Sequence, residues 1–159
     1  MIHETLNTRS SQTSPRMVRF AWTAALLVAL SAFAAHSQEP LARTPSAEGA
    51  RSYFIGIADG DEVSSPVVVR FGLSGMGVAP AGVELQKTGH HHLLIDSELA
   101  DYSLPIPADD AHRHFGGGQT EVSIELPPGN HTLQLVLADH HHVPHEPPVV
   151  SERIRVTVK

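Results

Sequence analysis

Apolar residues recur at every second position in several short runs after Arg51, and this period restricts the fold more than any other feature. In TEVSIEL (residues 120–126), for example, Val122, Ile124 and Leu126 alternate with polar neighbours. Successive side chains of a strand point to opposite faces, so such a run buries one face and exposes the other. Glycine, proline and aspartate clusters separate the runs, and no run has a sustained helical period. The chain is therefore predicted to be all-β.

Six segments are predicted to be strands, at residues 52–57, 66–73, 91–96, 120–126, 131–137 and 152–158. About six or seven short strands in roughly 110 residues favour an antiparallel immunoglobulin-like β-sandwich. An eight-stranded jelly roll is the alternative. The link LPPGNH is short and contains proline and glycine, so the strands on either side of it are expected to run in opposite directions as a hairpin.

The N-terminal stretch has the pattern of a targeting segment. Arg16 and Arg19 precede an apolar run at residues 20–35, which is shorter than the roughly 20 residues of a bilayer-spanning helix. Small residues that suit cleavage follow, so residues 1–37 are predicted to be a Sec-type signal peptide, with Met17 as a candidate true start. An uncleaved membrane anchor is the alternative. We expect a periplasmic or secreted protein with no stable membrane span after cleavage.

The rest of the chain is predicted to be one domain behind a linker. Residues 38–50 are polar, contain proline and lack periodicity, which indicates a linker ahead of a domain at residues 51–159. The chain has no cysteine, so this domain folds without disulfides. Seventeen acidic against eleven basic side chains give a net charge of −6, which argues against a nucleic-acid partner.

Histidines are concentrated in one part of the sequence, with ten of the twelve between His90 and His145. Nine of these ten lie in three segments, at residues 90–92, 112–114 and 140–145. With the LPPGNH hairpin at one end of the sandwich, an immunoglobulin-like strand order brings all three segments to the other end. His131 begins its strand at the hairpin end, and we predict that it caps that corner through a backbone hydrogen bond.

The three segments share the spacing H-x-H, at His90 and His92, at His112 and His114, and at His140 and His142. Residues two apart in an extended backbone project to the same side, so both imidazoles of a pair can meet one ion. Neutral imidazole suits Zn, Cu and Ni, and His145 adds a further donor. A pH-sensing surface and incidental solvated histidines are the alternatives. For nearby carboxylates such as Asp96 and Asp139, a solvated loop residue is the favoured interpretation.

Several motifs resemble the bacterial family known as domain of unknown function 4399, whose members are small exported proteins. They are FGLSGMGVAPAG, TGHHHLLID, HFGGGQTE, LPPGNHTLQLVLAD and HVPHEPPVVSERIRVTV, and the resemblance extends from about Tyr53 to Val158. It implies little about activity. Matched to these motifs, the family-like histidines are His90, His91, His92, His114, His131, His142 and His145, whereas His140 and His141 are a local elaboration. The predicted metal ligands are therefore His92, His114, His142 and His145, with His90 as an alternate.

These patterns together predict an exported, histidine-rich β-sandwich module that binds a Cu or Zn ion at one end of the sandwich. No H-E-x-x-H motif and no nucleophile–base arrangement is visible, which argues against an enzyme. A metalloenzyme with an open coordination position and Glu121 as its base is one alternative. A glycan- or protein-binding envelope domain that holds no metal is the other.

Overall fold

A computed structural model describes residues 43–159 of the chain. These residues form ten β-strands and no helix. The described part of the chain therefore contains no helix that could span a membrane. The strands are β1 (Arg51–Ile55), β2 (Glu62–Val63), β3 (Val67–Ser74), β4 (Gly77–Val78), β5 (Thr88–Ile95), β6 (His112–Phe115), β7 (Glu121–Ile124), β8 (Gly129–Ala138), β9 (Pro144–Val150) and β10 (Ile154–Val158). The predicted signal peptide at residues 1–37, with its candidate start at Met17, lies outside the described residues.

The strands form two sheets, as predicted for an all-β sandwich. The smaller sheet has the order β1-β3-β7, and the larger has the order β2-β10-β8-β5-β4, with β6 paired to β5 and β9 paired to β8. β5 and β8 are antiparallel neighbours, as the predicted immunoglobulin-like strand order requires, with His90 opposite Ala138 and Ile95 opposite Leu133. The three-stranded sheet facing β10-β8-β5-β6 has the strand order of an immunoglobulin-like sandwich.

All six predicted strands are present, and four further strands accompany them. Of these, β2 and β4 have two residues each, and β6 contains the HRH segment that was predicted to lie in a loop. The fourth, β9, includes Pro144, Pro147 and Pro148, which remove backbone donors. β9 has β8 on one side and on the other only the short segment 44–46, which pairs at Glu146, so it lies near the edge of the sheet, where proline is tolerated.

The predicted hairpin at LPPGNH is wrong. β7 pairs with β3 in the smaller sheet, whereas β8 pairs with β5, β9 and β10 in the larger sheet. The link between β7 and β8 therefore crosses from one layer to the other. Ile124 and Leu133 both belong to the buried cluster between the sheets, which explains the crossing, since each strand turns its apolar face to the same core.

The main core lies between the sheets and follows the alternation of the sequence. Val69 and Phe71 of β3 pack with Leu133, Leu135 and Val156 of the larger sheet. The residues of β8 and β10 in this core, Leu133, Leu135, Ile154, Val156 and Val158, recur at every second position of each strand.

A second apolar cluster covers the outer face of the larger sheet. Leu94 of β5 and Val136 and Ala138 of β8 pack there with Ile106, which comes from the long connection between β5 and β6. As a result β5 is buried on both faces from Gly89 to Ile95, and its outward-pointing histidines are buried as well.

The described part of the predicted linker lies against the domain. Pro45 forms a parallel bridge with Glu146 of β9, the Ser46 amide donates to the Glu146 carbonyl at 3.0 Å, and the Glu146 amide donates to the Thr44 carbonyl at 2.9 Å. Residues 43–46 thus extend the edge of the larger sheet, and β1 begins soon afterwards at Arg51.

Candidate metal centre

Four imidazoles meet on the outer face of the larger sheet. His90 and His92 belong to β5, His114 belongs to β6, and His142 lies in the turn between β8 and β9. The ring centroids of every pair are 4.8 to 6.0 Å apart. We call these residues the four-histidine cluster. Each of the three predicted histidine segments contributes to it, so their predicted convergence is confirmed.

Strand geometry places three of the four rings. His90 and His92 are two residues apart on one strand and therefore share a face. His114 stands directly opposite His92 in the antiparallel pair of β5 and β6, which puts it on that same face. The β5–β6 pairing thus builds one side of the cluster.

The fourth ring is held by a turn that Asp139 organises. Asp139 Oδ1 accepts hydrogen bonds from the backbone N–H groups of His141 at 2.9 Å and Val143 at 3.0 Å, and the Asp139 carbonyl accepts from the His142 N–H at 2.9 Å. His142 has a φ of 67°, a left-handed conformation that few residues other than glycine adopt. Asp139 is 3% exposed, so its expected role as a solvated loop residue is wrong.

The ring nitrogens are close enough to share one ion. The Nε2 atoms of His90 and His92 are 3.0 Å apart, and one ring nitrogen from each of His90, His114 and His142 lies within 4.8 Å of the others. Two imidazole nitrogens at about 2.0–2.1 Å from a Zn ion are about 3.3 Å apart in a tetrahedron. The His90–His92 pair already has such a spacing, and the wider separations close by side-chain shifts of about 1.5 Å.

Burial leaves nitrogen atoms of this cluster without partners. The side chains of His90 and His92 are fully buried, and their Nδ1 atoms have no hydrogen-bond partner among the described residues. An unpaired buried polar group costs about 1–3 kcal/mol, and few are retained in native structures. A set of imidazole donors with orphaned nitrogens fits a late first-row transition metal.

The environment keeps three of these imidazoles free of protons. Burial, reinforced by His142 and His114, lowers the pKa of His90 to about 4, and burial with the neighbouring rings lowers the pKa of His92 to about 2. Burial and His142 also lower the pKa of His114. Since only neutral imidazole offers a lone pair to a metal, His90, His92 and His114 are in their binding form near neutral pH.

His145, the fifth predicted ligand, lies in a different environment. It is 2% exposed, its Nδ1 is 2.7 Å from Thr44 Oγ1, and Thr44 Oγ1 also donates to Asp139 Oδ2 at 3.1 Å. The group whose nitrogens lie within 4.8 Å of one another consists of His90, His114 and His142, and it includes neither His145 nor His92. His92 differs from His145 because its Nε2 lies 3.0 Å from His90 Nε2 and its ring packs against those of His114 and His142. His145 thus connects residues 43–46 to the turn that carries His142.

The remaining histidines of the three segments also lie outside the four-histidine cluster. His112 Nδ1 is 2.8 Å from Asp109 Oδ1, and its Nε2 is 3.0 Å from Ser97 Oγ. His140 and His141 stack on each other, with centroids 4.0 Å apart. Of the three H-x-H pairs, therefore, only His90 and His92 both enter the cluster.

His91 points the other way, into the core between the sheets. Its ring lies 5.2 Å from that of Phe71, and neither of its nitrogens has a hydrogen-bond partner among the described residues. Burial lowers the pKa of His91 to about 4. A hydrophobic side chain would suit this position better, so His91 carries an energetic cost that packing alone does not explain.

His131 has the structural role that the sequence predicts. Its Nε2 donates to the Pro127 carbonyl at 2.9 Å, which is the predicted backbone hydrogen bond at the corner before β8. Its Nδ1 lies 2.7 Å from Asp96 Oδ2, and Asp96 Oδ1 accepts from the Thr132 amide at 2.7 Å. Burial opposes the charged form of His131, but the hydrogen bonds to Asp96 and Pro127 outweigh it and raise its pKa.

Glu121, the candidate base of the alternative metalloenzyme, lies in the smaller sheet. Its carboxylate forms an ion pair with Arg70 on the neighbouring strand, and both side chains are more than half exposed. The structure therefore offers this carboxylate a partner other than the four-histidine cluster.

Comparison with known protein families identifies the domain. Residues 69–159 match the family described as Domain of unknown function (DUF4399). The chain belongs to this family. The match covers more than half of the chain, and the matched DUF4399 residues include all members of the four-histidine cluster. Comparison with curated proteins and with solved structures finds no match.

Proposed function

We propose that this DUF4399 domain binds one transition-metal ion, Cu(II) or Zn(II), through His90, His92, His114 and His142. The main support for this proposal is the pair of fully buried rings of His90 and His92, whose Nε2 atoms are 3.0 Å apart. Folding energy alone gives no reason to bury two imidazoles with their Nε2 atoms 3.0 Å apart, since between these two atoms only one hydrogen bond can form. A shared cation supplies that reason, because it binds the lone pairs that burial keeps unprotonated.

The cluster has a buried side and a side that faces the surface. His90 and His92 belong to strand β5 and form the buried side. His114 is exposed and His142 is half-buried, so these two rings face the surface. The ion enters and leaves on their side. We also propose, from the leader sequence, that the protein acts in the periplasm or outside the cell.

His145 is left out of the proposed ligand set. Its Nδ1 is engaged by Thr44, and its Nε2 end lies so close to the backbone that a Cβ added to Gly89 would come within 2.9 Å of it. Its contribution is to hold residues 43–46 and the Asp139 turn together.

The exposed side of the cluster also supports a second candidate, a metalloenzyme. An ion held by fewer than four of these imidazoles would keep a position for water or substrate next to His114. Glu121, the base that the sequence suggested for such an enzyme, belongs to the smaller sheet and pairs there with Arg70, so no observation places it at the cluster. Simple metal binding therefore has the stronger support.

Calorimetric titration of the full chain, produced without a histidine tag, tests the proposal. Wild-type protein is expected to bind one equivalent of Cu(II) or Zn(II), and a His92→Ala/His114→Ala variant is expected to lose this binding. The matched control is His140→Ala/His141→Ala, which removes two neighbouring histidines outside the cluster and is expected to bind as the wild type does. Absence of saturable binding, or equal binding by the His92→Ala/His114→Ala variant, contradicts the proposal and favours a domain that recognises a glycan or protein.

A further inference from the structure

Gly116 lies in the turn after β6, directly beneath the ring of His114. A Cβ added to Gly116 would lie 2.4 Å from His114 Cε1 and 2.5 Å from His114 Nε2, far inside van der Waals contact. The imidazole therefore occupies the space that any other residue at this position would fill with its own side chain.

The backbone at Gly116 is fixed from the opposite side. The Ala81 N–H donates to the Gly116 carbonyl at 2.9 Å, and the Ala81 Cβ would be 3.1 Å from the added Cβ. The main chain thus has little room to withdraw, and an added methyl group would have to displace the His114 ring instead.

The backbone conformation at position 116 does not itself require glycine. Among the three consecutive glycines, Gly118 has a φ of 80°, whereas Gly116 is not among the residues with positive φ. Alanine is compatible with the backbone of Gly116, and the atoms that it would meet are at the far end of a side chain that can turn away. The cost of this substitution therefore falls on the position of one ring and not on the fold.

We propose that Gly116 is a positioning residue of the metal site, because its missing side chain lets His114 lie over the turn and reach the ion shared with His90, His92 and His142. This inference rests on the proposed function and deepens it. It assigns one glycine of the HFGGGQ segment, Gly116, a role in ligand placement.

The test compares Gly116→Ala with Gly117→Ala in the full chain. The three atoms nearest to a Cβ at Gly117 would all belong to the side chain of Gln119, at 3.1 to 3.3 Å, which makes Gly117→Ala a matched control one residue away. By titration with Zn(II), Gly116→Ala is expected to weaken affinity by about 10- to 100-fold, the range typical of residues that orient ligands. Gly117→Ala is expected to bind within about threefold of the wild type, well below that range.

Two further measurements separate positioning from a general structural effect. In a His114→Ala background, Gly116→Ala is expected to cause no additional loss of affinity, because the ring on which it acts is gone. In the metal-free protein, the NMR signals of the His114 ring are expected to shift in Gly116→Ala while those of His131 stay in place, and the thermal midpoint should change little.

The outcomes distinguish this inference from the proposed function. Wild-type affinity in Gly116→Ala, or an equally large loss in the His114→Ala background, overturns the role of Gly116 and leaves the metal site standing. A wild-type chain that binds no metal overturns both.

Discussion

The Nε2 atoms of His90 and His92 lie 3.0 Å apart on the outer face of β5, where both side chains are fully buried. Two such nitrogens are compatible either as donor and acceptor of one hydrogen bond or as joint donors of lone pairs to a cation. Their Nδ1 atoms lack partners among the described residues, so the hydrogen bond alone leaves this pair poorly satisfied. Substitutions at and around this pair are therefore expected to change metal affinity and the free energy of unfolding separately.

Replacing His92 by leucine is expected to abolish metal binding without unfolding the domain. The His92→Leu variant loses a ligand and a buried Nδ1 that has no partner, but it also leaves His90 Nε2 without its 3.0 Å partner. These two effects oppose each other, so the free energy of unfolding of the metal-free variant should stay within about 1 kcal/mol of the wild-type value. Thermal unfolding with and without Zn(II) checks this: about 2.7 kcal/mol of stabilisation is expected for wild type at 100 times Kd, and none for the variant. Equal stabilisation of both proteins would count against the site.

His91→Leu provides the opposite case on the same strand. His91 faces the core beside Phe71 with both nitrogens unpaired, and leucine removes this unsatisfied polarity. We expect the free energy of unfolding to rise by about 1–2 kcal/mol and the metal affinity to stay at its wild-type value. Urea unfolding and calorimetry measure the two quantities. A clear loss of affinity would mean that His91 belongs to the metal site.

The metal-free protein is expected to lose stability as the pH falls below about 6.5. Burial lowers the pKa of His90 and His91 to about 4 and that of His92 to about 2, compared with 6.5 for the unfolded chain. The unfolded state therefore takes up protons first, so stability is complete above the unfolded pKa and declines as the pH falls toward 4. Urea midpoints at pH 7, 6 and 5 should decrease in that order, and less steeply in His91→Leu. Equal midpoints at pH 7 and pH 5 would contradict the lowered pKa values.

Asp139→Ala is expected to reduce both stability and metal affinity. The substitution removes the acceptor for the His141 and Val143 amides, which should cost about 2–3 kcal/mol and release the turn that holds His142. Metal affinity should fall by about 10-fold or more. Asp139→Asn keeps one carbonyl oxygen for these amides and is expected to retain most of the affinity. If Asp139→Ala bound metal like the wild type, His142 would not depend on this turn.

His131→Gln is expected to destabilise the fold and leave metal binding intact. The ion pair with Asp96 and the hydrogen bond to Pro127 are weakened or lost, which should lower the free energy of unfolding by about 1–2 kcal/mol. Because the pKa of His131 is raised, its stabilising charge is present below pH 6.5 and disappears as the pH rises through the folded-state pKa. The difference between wild type and variant should therefore be larger at pH 6 than at pH 9. A variant that lost affinity instead would give His131 a functional role.

Local alternation was enough to predict the fold class and the strands that face one core. The inward residues of β8 and β10 follow period two, and the same period placed His90 and His92 on one face. The predicted convergence of the three histidine segments depended on the antiparallel pairing of β5 with β8, which a strand order of immunoglobulin type supplies.

Features that depend on contacts between distant parts of the chain could not be predicted from the sequence. His90 and His92 pack against rings from distant segments, His114 of β6 and His142 of the turn before β9. β9 itself was not predicted, because its prolines hide a strand signal. The crossing between β7 and β8 reflects which sheet each strand joins, and a short proline–glycine link does not specify this. His145 shares its segment with His142, yet Thr44, about 100 residues earlier, determines its surroundings.

X-ray absorption spectroscopy of the full chain loaded with one equivalent of Zn(II) shows which atoms bind the ion. Imidazole nitrogens at about 2.0–2.1 Å are expected to be the main ligands. This signature should disappear in His92→Leu and persist in His91→Leu. A coordination shell dominated by oxygen, or an identical spectrum from His92→Leu, would contradict a metal site built on His90 and His92.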